Sequence, residues 1–209
     1  MTILPSAYLA PVQYYTKLCG GESVIEDRGE HYVKQTCRNR CRILGARGVE
    51  TLIIPIEHGG GTSHTPMRVI RISSHDPAWQ RRHWHALRTA YDNTPYFLYF
   101  ADTLAPIFER HYAFLCDWNA EVENAVCALF GLSRHKKISN EYVVATNADD
   151  DCRTSPLRSP SAVPYWQVHA PQGEFVPDLS IADLLFNMGP EARLVLSAQM
   201  AQESPKRTV

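Results

Sequence analysis

The sequence predicts an α/β (or α+β) fold: a mixed sheet with an N-terminal β-α-β unit, a β-hairpin and a cluster of three or more helices in a single domain. Three patterns predict it. A strand, a short helix and a second strand succeed one another in "SAYLAPVQYYTKLCGGESVIED", the order of a parallel α/β pairing. Two β-type runs flank Gly45-Ala46-Arg47-Gly48. Apolar residues then recur at helical spacing from Trp79 to Tyr91.

Each element has its own reason. A turn at Pro11 separates the first strand from a helix that Gly20-Gly21 ends, and "SVIED" follows as a short buried strand. Glycines at both ends of the Gly45–Gly48 tip suit a hairpin with residues at positive φ. "MRVIRISS" alternates Val69, Arg71 and Ser73 against Arg68, Ile70 and Ile72, a strand pattern. Asp76 caps the next helix and Pro77 takes its first position, where a missing N–H costs nothing. Trp79, His83, Leu87, Ala90 and Tyr91 share its inner face. The residue before Pro95 avoids the α region, so "NTPYF" stops it.

A second helix is expected after Asp102. A third runs from about Asp117 to Phe130, with Gly131 as its stop. "EYVVAT" reads as a strand. "NADDDCRTSPLRSPSAVP" reads as a mobile loop over 147–164, either a linker or a lid. Ser180 and Asp183 resemble a capping box ahead of Leu184, Leu185 and Phe186, and Gly189 closes that helix. The domain is expected over 1–200, with a disordered tail over 201–209.

Composition narrows the function. The chain has 209 residues, 44% hydrophobic and 21% charged, a globular balance. The formal net charge is -1, so no global field draws it to nucleic acid or to an anionic membrane. No run approaches the roughly 18 apolar residues of a membrane span, and "MTILPSAYLAPVQ" lacks the basic start of a signal peptide. The six cysteines then read as reduced thiols in a cytoplasmic protein.

The stretch "YVKQTCRNRCRI" concentrates the chemistry. On a strand, Lys34, Thr36, Arg38, Arg40 and Arg42 share one face; Gln35, Cys37, Asn39, Cys41 and Ile43 share the other. Two readings stand. Cysteines and Ile43 face the core and the cations face solvent; or Arg38 and Arg40, about 7 Å apart, grip the two phosphates of a diphosphate with planar forks, with Arg42 and Lys34 extending the track. Zinc at Cys37 and Cys41 fails, because four residues of strand span about 13 Å. No metal site is expected, and no cofactor is identified. No Gly-x-Gly-x-x-Gly, Walker loop or Gly-x-Ser-x-Gly elbow occurs.

His83, on the inner helix face, is the candidate general base, against the alternative of a core histidine bonded to a carbonyl. Glu26 and Asp27 end a strand, where ligands of parallel sheets sit. Gln13 and Tyr14 follow the first strand near the same edge. Trp79, Trp84 and Tyr91 wall a pocket or fill the core.

"APVQYYTKL", "VIED", "YVKQTCRNRCRI", "WQRRHWHALRTAYDNTPYF" and "QGEFVPDLSIADLLFNMG" together resemble the WbqC-like family, from Ala10 to about Gly189. The Arg38-Asn39-Arg40 triplet and the helix with Trp79, His83, Trp84 and Tyr91 are the most specific pieces. The resemblance implies a role beside bacterial surface-polysaccharide (O-antigen) biosynthesis, for which addition of an aminoacyl group, glycine, is suggested. By that resemblance Gln13 matches a glutamine near the family's start, Glu26 and Asp27 its acidic pair, and His83 its helix histidine. Many members open with a His-x-Pro turn, and Ala10-Pro11-Val12-Gln13 stands here instead.

The expectation is a transferase of an activated, phosphate-bearing sugar or acyl donor. Arg38 and Arg40, with Lys34 and Asn39 beside them, hold the anion. His83 accepts a proton and Glu26 orients it. Two alternatives remain: a non-catalytic module that binds a nucleotide-sugar or polysaccharide intermediate, and a structural partner in a biosynthetic complex.

Overall fold

A computed structural model describes residues 1–20, 23–57, 64–132, 136–154, 157 and 161–203. Its elements are β1 (Thr2–Pro5), α1 (Val12–Gly20), β2 (Val24–Asp27), β3 (Arg40–Gly45), β4 (Gly48–Ile53), α2 (Trp79–Tyr91), α3 (Phe97–Glu109), α4 (Leu115–Phe130), β5 (Lys136–Ser139), β6 (Asp150–Asp151), α5 (Ile181–Met188) and α6 (Ala192–Glu203). One sheet has the order β5-β2-β1-β6, with every neighbouring pair parallel. A second, two-stranded sheet is the antiparallel β3–β4 hairpin. The mixed α/β character and the β-α-β start agree with the sequence.

The first strand lies earlier than expected: residues 6–11 form a connection into α1, and β1 is "TILP". β1 is buried on both faces, as a central parallel strand must be. The hairpin turns at Ala46 and Arg47, with Gly45 opposite Gly48. Only the second glycine takes positive φ, 105° at Gly48.

α2 buries Trp79, His83, Leu87, Ala90 and Tyr91, the five residues that the periodicity assigns to its inner face. It begins at Trp79, two residues after Pro77; Asp76 accepts from the Ala78 N–H and pairs with Arg82. α3 starts at Phe97, well before Asp102, and carries Pro106 inside it. α4 ends where Gly131 takes φ 62°. Trp118, fully buried, sits among Trp79, Phe108 and Tyr112 with ring centroids 4.9, 5.1 and 5.1 Å away. Fully burying a large apolar side chain contributes about 1.5–3 kcal/mol, so this aromatic junction anchors α2 and α3 to α4.

Several expected strands are absent. Residues 34–39 form turns, because Arg38 and Asn39 are drawn inward by polar partners described below. "MRVIRISS" forms a 3₁₀ turn at Met67–Val69, followed by isolated bridges of Arg71 to Phe114 and Ile72 to Ile56. "EYVVAT" is not a strand; its neighbour "KKIS" pairs with β2 instead. Within 147–164, Asp150–Asp151 form β6 and Cys152 and Arg153 are buried; residues 155, 156 and 158–160 lie outside the described residues, as do 204–209 of the expected tail. Ser180 does cap α5, accepting from Ala182 N at 3.1 Å. Asp183 makes no reciprocal cap: its carboxylate accepts from Tyr91, Tyr165 and Gln167 at 3.0, 2.8 and 3.0 Å.

Candidate functional site

A cleft of about 660 Å³ opens beside Pro5, past the carboxyl ends of β1 and β6 and against the hairpin. Ligands of open parallel sheets occupy such positions. Among the described residues, four arginines line it, Arg38, Arg40, Arg42 and Arg153, together with Asp178. Pro5, Leu9, Pro11, Val33 and Leu157 supply apolar wall.

Two of the arginines are matched from behind. Arg38 Nε and Nη2 donate to Glu30 Oε1 and Oε2 at 3.0 and 2.5 Å, and both side chains are buried. Burial pushes the Glu30 carboxyl up, and Arg38 opposes that shift. Arg153 pairs with Asp27, and with Asp151 at 2.6 Å. Asp27 is also saturated by the Gly29 and Glu30 N–H groups, at 2.8 and 3.0 Å. Asn39 accepts from Tyr32 OH and donates to the Ile54 carbonyl, each at 2.9 Å. It holds the loop rather than a ligand.

Arg40 is different. It is half-buried, and its Nε is enclosed with no hydrogen-bond partner among the described residues. An enclosed, unpaired cationic donor is costly unless something satisfies it. Arg42 makes one long bond, Nη1 to the Asp178 carbonyl at 3.4 Å.

The backbone around the cleft is strained. Leu9, Gln35 and Asp178 take φ of 38°, 63° and 59°, and these are the non-glycine residues with positive φ among the described ones. All three line the cleft. Each such conformation costs about 1–3 kcal/mol, and strain of this kind gathers at ligand sites.

The other expected site residues lie elsewhere. His83 is not on the cleft wall. Its Nδ1 meets Tyr8 OH at 3.0 Å, it bonds the Ile53 backbone, and Trp79 packs against its ring at 5.2 Å. Burial, then the nearby Arg82 charge, lower its pKa to about 4. Its neighbours are therefore Tyr8 and a carbonyl, as in a core histidine, and not Glu26. Glu26 is held by Lys136 and by Arg28, the latter at 2.6 Å. Burial alone would raise the Glu26 pKa, but Lys136 and Arg28 outweigh it and hold it below the usual carboxylate range. Tyr14 donates to Glu123 Oε2 at 2.8 Å. Gln13 is buried in α1, off the lining.

Trp79 and Tyr91 are core residues, and Trp84 packs against Phe97 and Phe108 at 5.8 and 5.3 Å. The expected aromatic pocket wall is thus packing between helices, because Trp79 meets Trp118 of α4, Tyr91 meets Phe186 of α5 and Trp84 meets α3. Lys34 is exposed and does not reach the cleft. Of the expected residues, Arg38 and Arg40 come together there. Burial raises the wall thiol of Cys37 to about 11, so it stands protonated at neutral pH.

Sequence reasoning missed Thr51, Arg153, Asp178 and Ser180 as lining residues. The register of β3 against β4 brings Thr51 opposite Arg42; a hairpin tip at Gly45–Gly48 carries that signal. Arg153 sits in a segment read as loop, and its buried position depends on Asp27, far away in the chain.

Among the described residues, no helix is long and apolar enough to cross a membrane, and no cluster of three or more His, Cys, Asp or Glu could hold a metal ion. The model of a family described as the WbqC-like protein family matches residues 6–155. An uncharacterised protein of Mycobacterium tuberculosis, Rv1507c, is 28% identical to this chain over 92% of it and 95% of its own length. No solved structure matches.

Proposed function

The chain belongs to the WbqC-like protein family, and on that footing we propose that it binds a phosphate-bearing, activated sugar or acyl donor in the arginine-lined cleft. The binding serves group transfer in bacterial surface-polysaccharide biosynthesis, in the cytoplasm. Aminoacyl, and specifically glycyl, transfer is the reaction the family resemblance suggests.

One observation carries the reading: Arg40 lines the cleft with its Nε enclosed and without a hydrogen-bond partner among the described residues. A phosphate is its natural complement, since guanidinium offers a planar fork to two phosphate oxygens. The strained Leu9, Gln35 and Asp178 around the same space support a ligand site over an ordinary surface groove.

A second reading, a non-catalytic module that holds such a donor for another enzyme, is favoured by the position of His83. A general base must come within hydrogen-bond reach of its proton, directly or through one water, and His83 is bonded in the core.

The test is a thermal-shift screen of nucleotide-sugars, sugar phosphates and aminoacyl donors against wild type and Arg40→Ala. A ligand that binds only the native state must raise the melting temperature. The expected result is a stabilising phosphate-bearing compound whose effect disappears in Arg40→Ala. A stabilisation that the variant retains in full would remove the cleft from the proposal. Turnover of the hit, in the presence of amine or hydroxyl acceptors, separates transferase from module.

A further inference from the structure

We infer that the ligand of the cleft is carried on a diphosphate, and that its two phosphoryl groups are held by Arg40 and Arg42, with the Thr51 hydroxyl as a third donor. This rests on the anionic-donor reading above and narrows it to one substrate class.

The argument begins from the strand. Arg40 and Arg42 are separated by one residue within β3. Alternate residues of a strand face the same way, about 7 Å apart. Arg42 is opposite Thr51 across the ladder, and residues directly opposite share a face. All three line the cleft. The intervening Cys41 also borders the cleft, but it is buried and its thiol meets Tyr8. Two guanidinium forks and a hydroxyl thus project into the same space from a rigid hairpin.

The matched pairs then decide what those forks take. Glu30 already satisfies Arg38, and Asp27 and Asp151 satisfy Arg153. Among the described residues, the cationic capacity left for a ligand is that of Arg40 and Arg42. Arg40 Nε has no partner among the described residues, and the 3.4 Å bond of Arg42 uses one of its five donors. A carboxylate is filled by one bidentate fork and would leave the second guanidinium unmatched. A single phosphate meets one fork well and the other at an angle. A diphosphate presents one phosphoryl group to each. Ser180 adds to the fit, because its Oγ accepts from Ala182 N and so keeps its own hydrogen free to donate.

The experiment is isothermal titration of the full chain with inorganic pyrophosphate, inorganic phosphate and acetate at one ionic strength, repeated on Arg40→Gln, Arg42→Gln and Arg47→Gln. Arg47 lies exposed in the hairpin turn and removes the same charge outside the cleft. The expected result is pyrophosphate binding about tenfold or more tighter than phosphate, with acetate weakest. Arg40→Gln and Arg42→Gln each bring pyrophosphate down to the level of phosphate, and Arg47→Gln leaves it unchanged. Equal affinity for phosphate and pyrophosphate in the wild type overturns the inference, whatever the variants do. Phosphate binding that needs Arg40 but not Arg42 also overturns it, while the anionic-donor reading stands. Absence of binding by any phosphate at millimolar concentration overturns both.

Discussion

Arg38 and Glu30 meet in a buried two-bond ion pair, with Nε to Oε1 at 3.0 Å and Nη2 to Oε2 at 2.5 Å. Arg38 Nη2 also donates to the Arg153 carbonyl at 3.1 Å. The pair therefore fixes a wall of the cleft as well as the loop that follows Glu30. Breaking a buried pair from one side leaves an uncompensated charge, at a cost of about 3–5 kcal/mol. Arg38→Ala should destabilise by that amount in urea unfolding, and the double variant Arg38→Met, Glu30→Leu by clearly less. A single-variant loss below about 1 kcal/mol would mean that water reaches the pair.

His83 should control stability in mildly acid solution. Its pKa in the folded chain, about 4, is below the ordinary 6.5. Between those values the unfolded chain binds a proton that the native chain refuses. The contribution is complete above about pH 6.5 and is lost as pH falls toward 4, by about 3 kcal/mol in all. Urea midpoints recorded across this window should fall in the wild type and be nearly flat in His83→Gln. An equally steep fall in the variant would assign the slope to other groups.

His83→Ala should leave ligand affinity within about twofold while lowering stability by roughly 1–3 kcal/mol, through the lost packing and the lost bond to the Tyr8 hydroxyl. Titration calorimetry at a temperature where the variant is folded measures the first quantity. A large loss of affinity would bring this imidazole back into the site.

Gln35 is exposed and takes φ 63°, where a side chain costs about 1–2 kcal/mol and glycine costs little. Gln35→Gly should raise stability by up to about 1 kcal/mol. If the strained turn shapes the cleft, the same change weakens the ligand, the usual exchange of function for stability. Melting temperature and affinity measured on one sample decide it; a rise in both would detach the strain from binding.

Gly29 has no room for a side chain. A Cβ there would lie 2.2 Å from both the Glu141 carbonyl carbon and the Tyr142 nitrogen. Gly29→Ala should displace that segment and destabilise by about 1–3 kcal/mol or more. Val143 donates to Asp27 Oδ2 at 3.1 Å and accepts from Arg153 at 2.8 Å, so the displacement should also loosen the cleft wall and weaken the ligand. Unchanged stability would show that the 141–143 segment yields freely.

Sequence patterns captured what is local. The inner face of α2, the stop of α4 at Gly131, the hairpin turn and β2 each follow from neighbours within a few residues. The failures come from long-range pairing. Residues 34–39 alternate like a strand, yet Glu30 and Ile54 pull Arg38 and Asn39 inward and break the alternation. Asp183 has the spacing of a cap, yet two tyrosines and a glutamine from other segments claim it. His83 was legible as buried, but its partner Tyr8 was not, since periodicity places a residue on a face and does not choose what it meets. The cleft was half legible for the same reason: Arg40 and Arg42 are adjacent on one strand, whereas Arg153 and Asp178 arrive from distant chain.

The order β5-β2-β1-β6 has a consequence for synthesis. β1 is made long before the strand that closes its second edge, which begins at Asp150. At about 5–20 residues per second on the ribosome, β2 and β6 emerge on the order of ten seconds apart. Through that interval the nascent chain offers an open apolar edge, and completion depends on contacts of high sequence separation, which form slowly. Slower growth temperatures and chaperone supply should therefore raise the soluble yield more than any change to the finished surface.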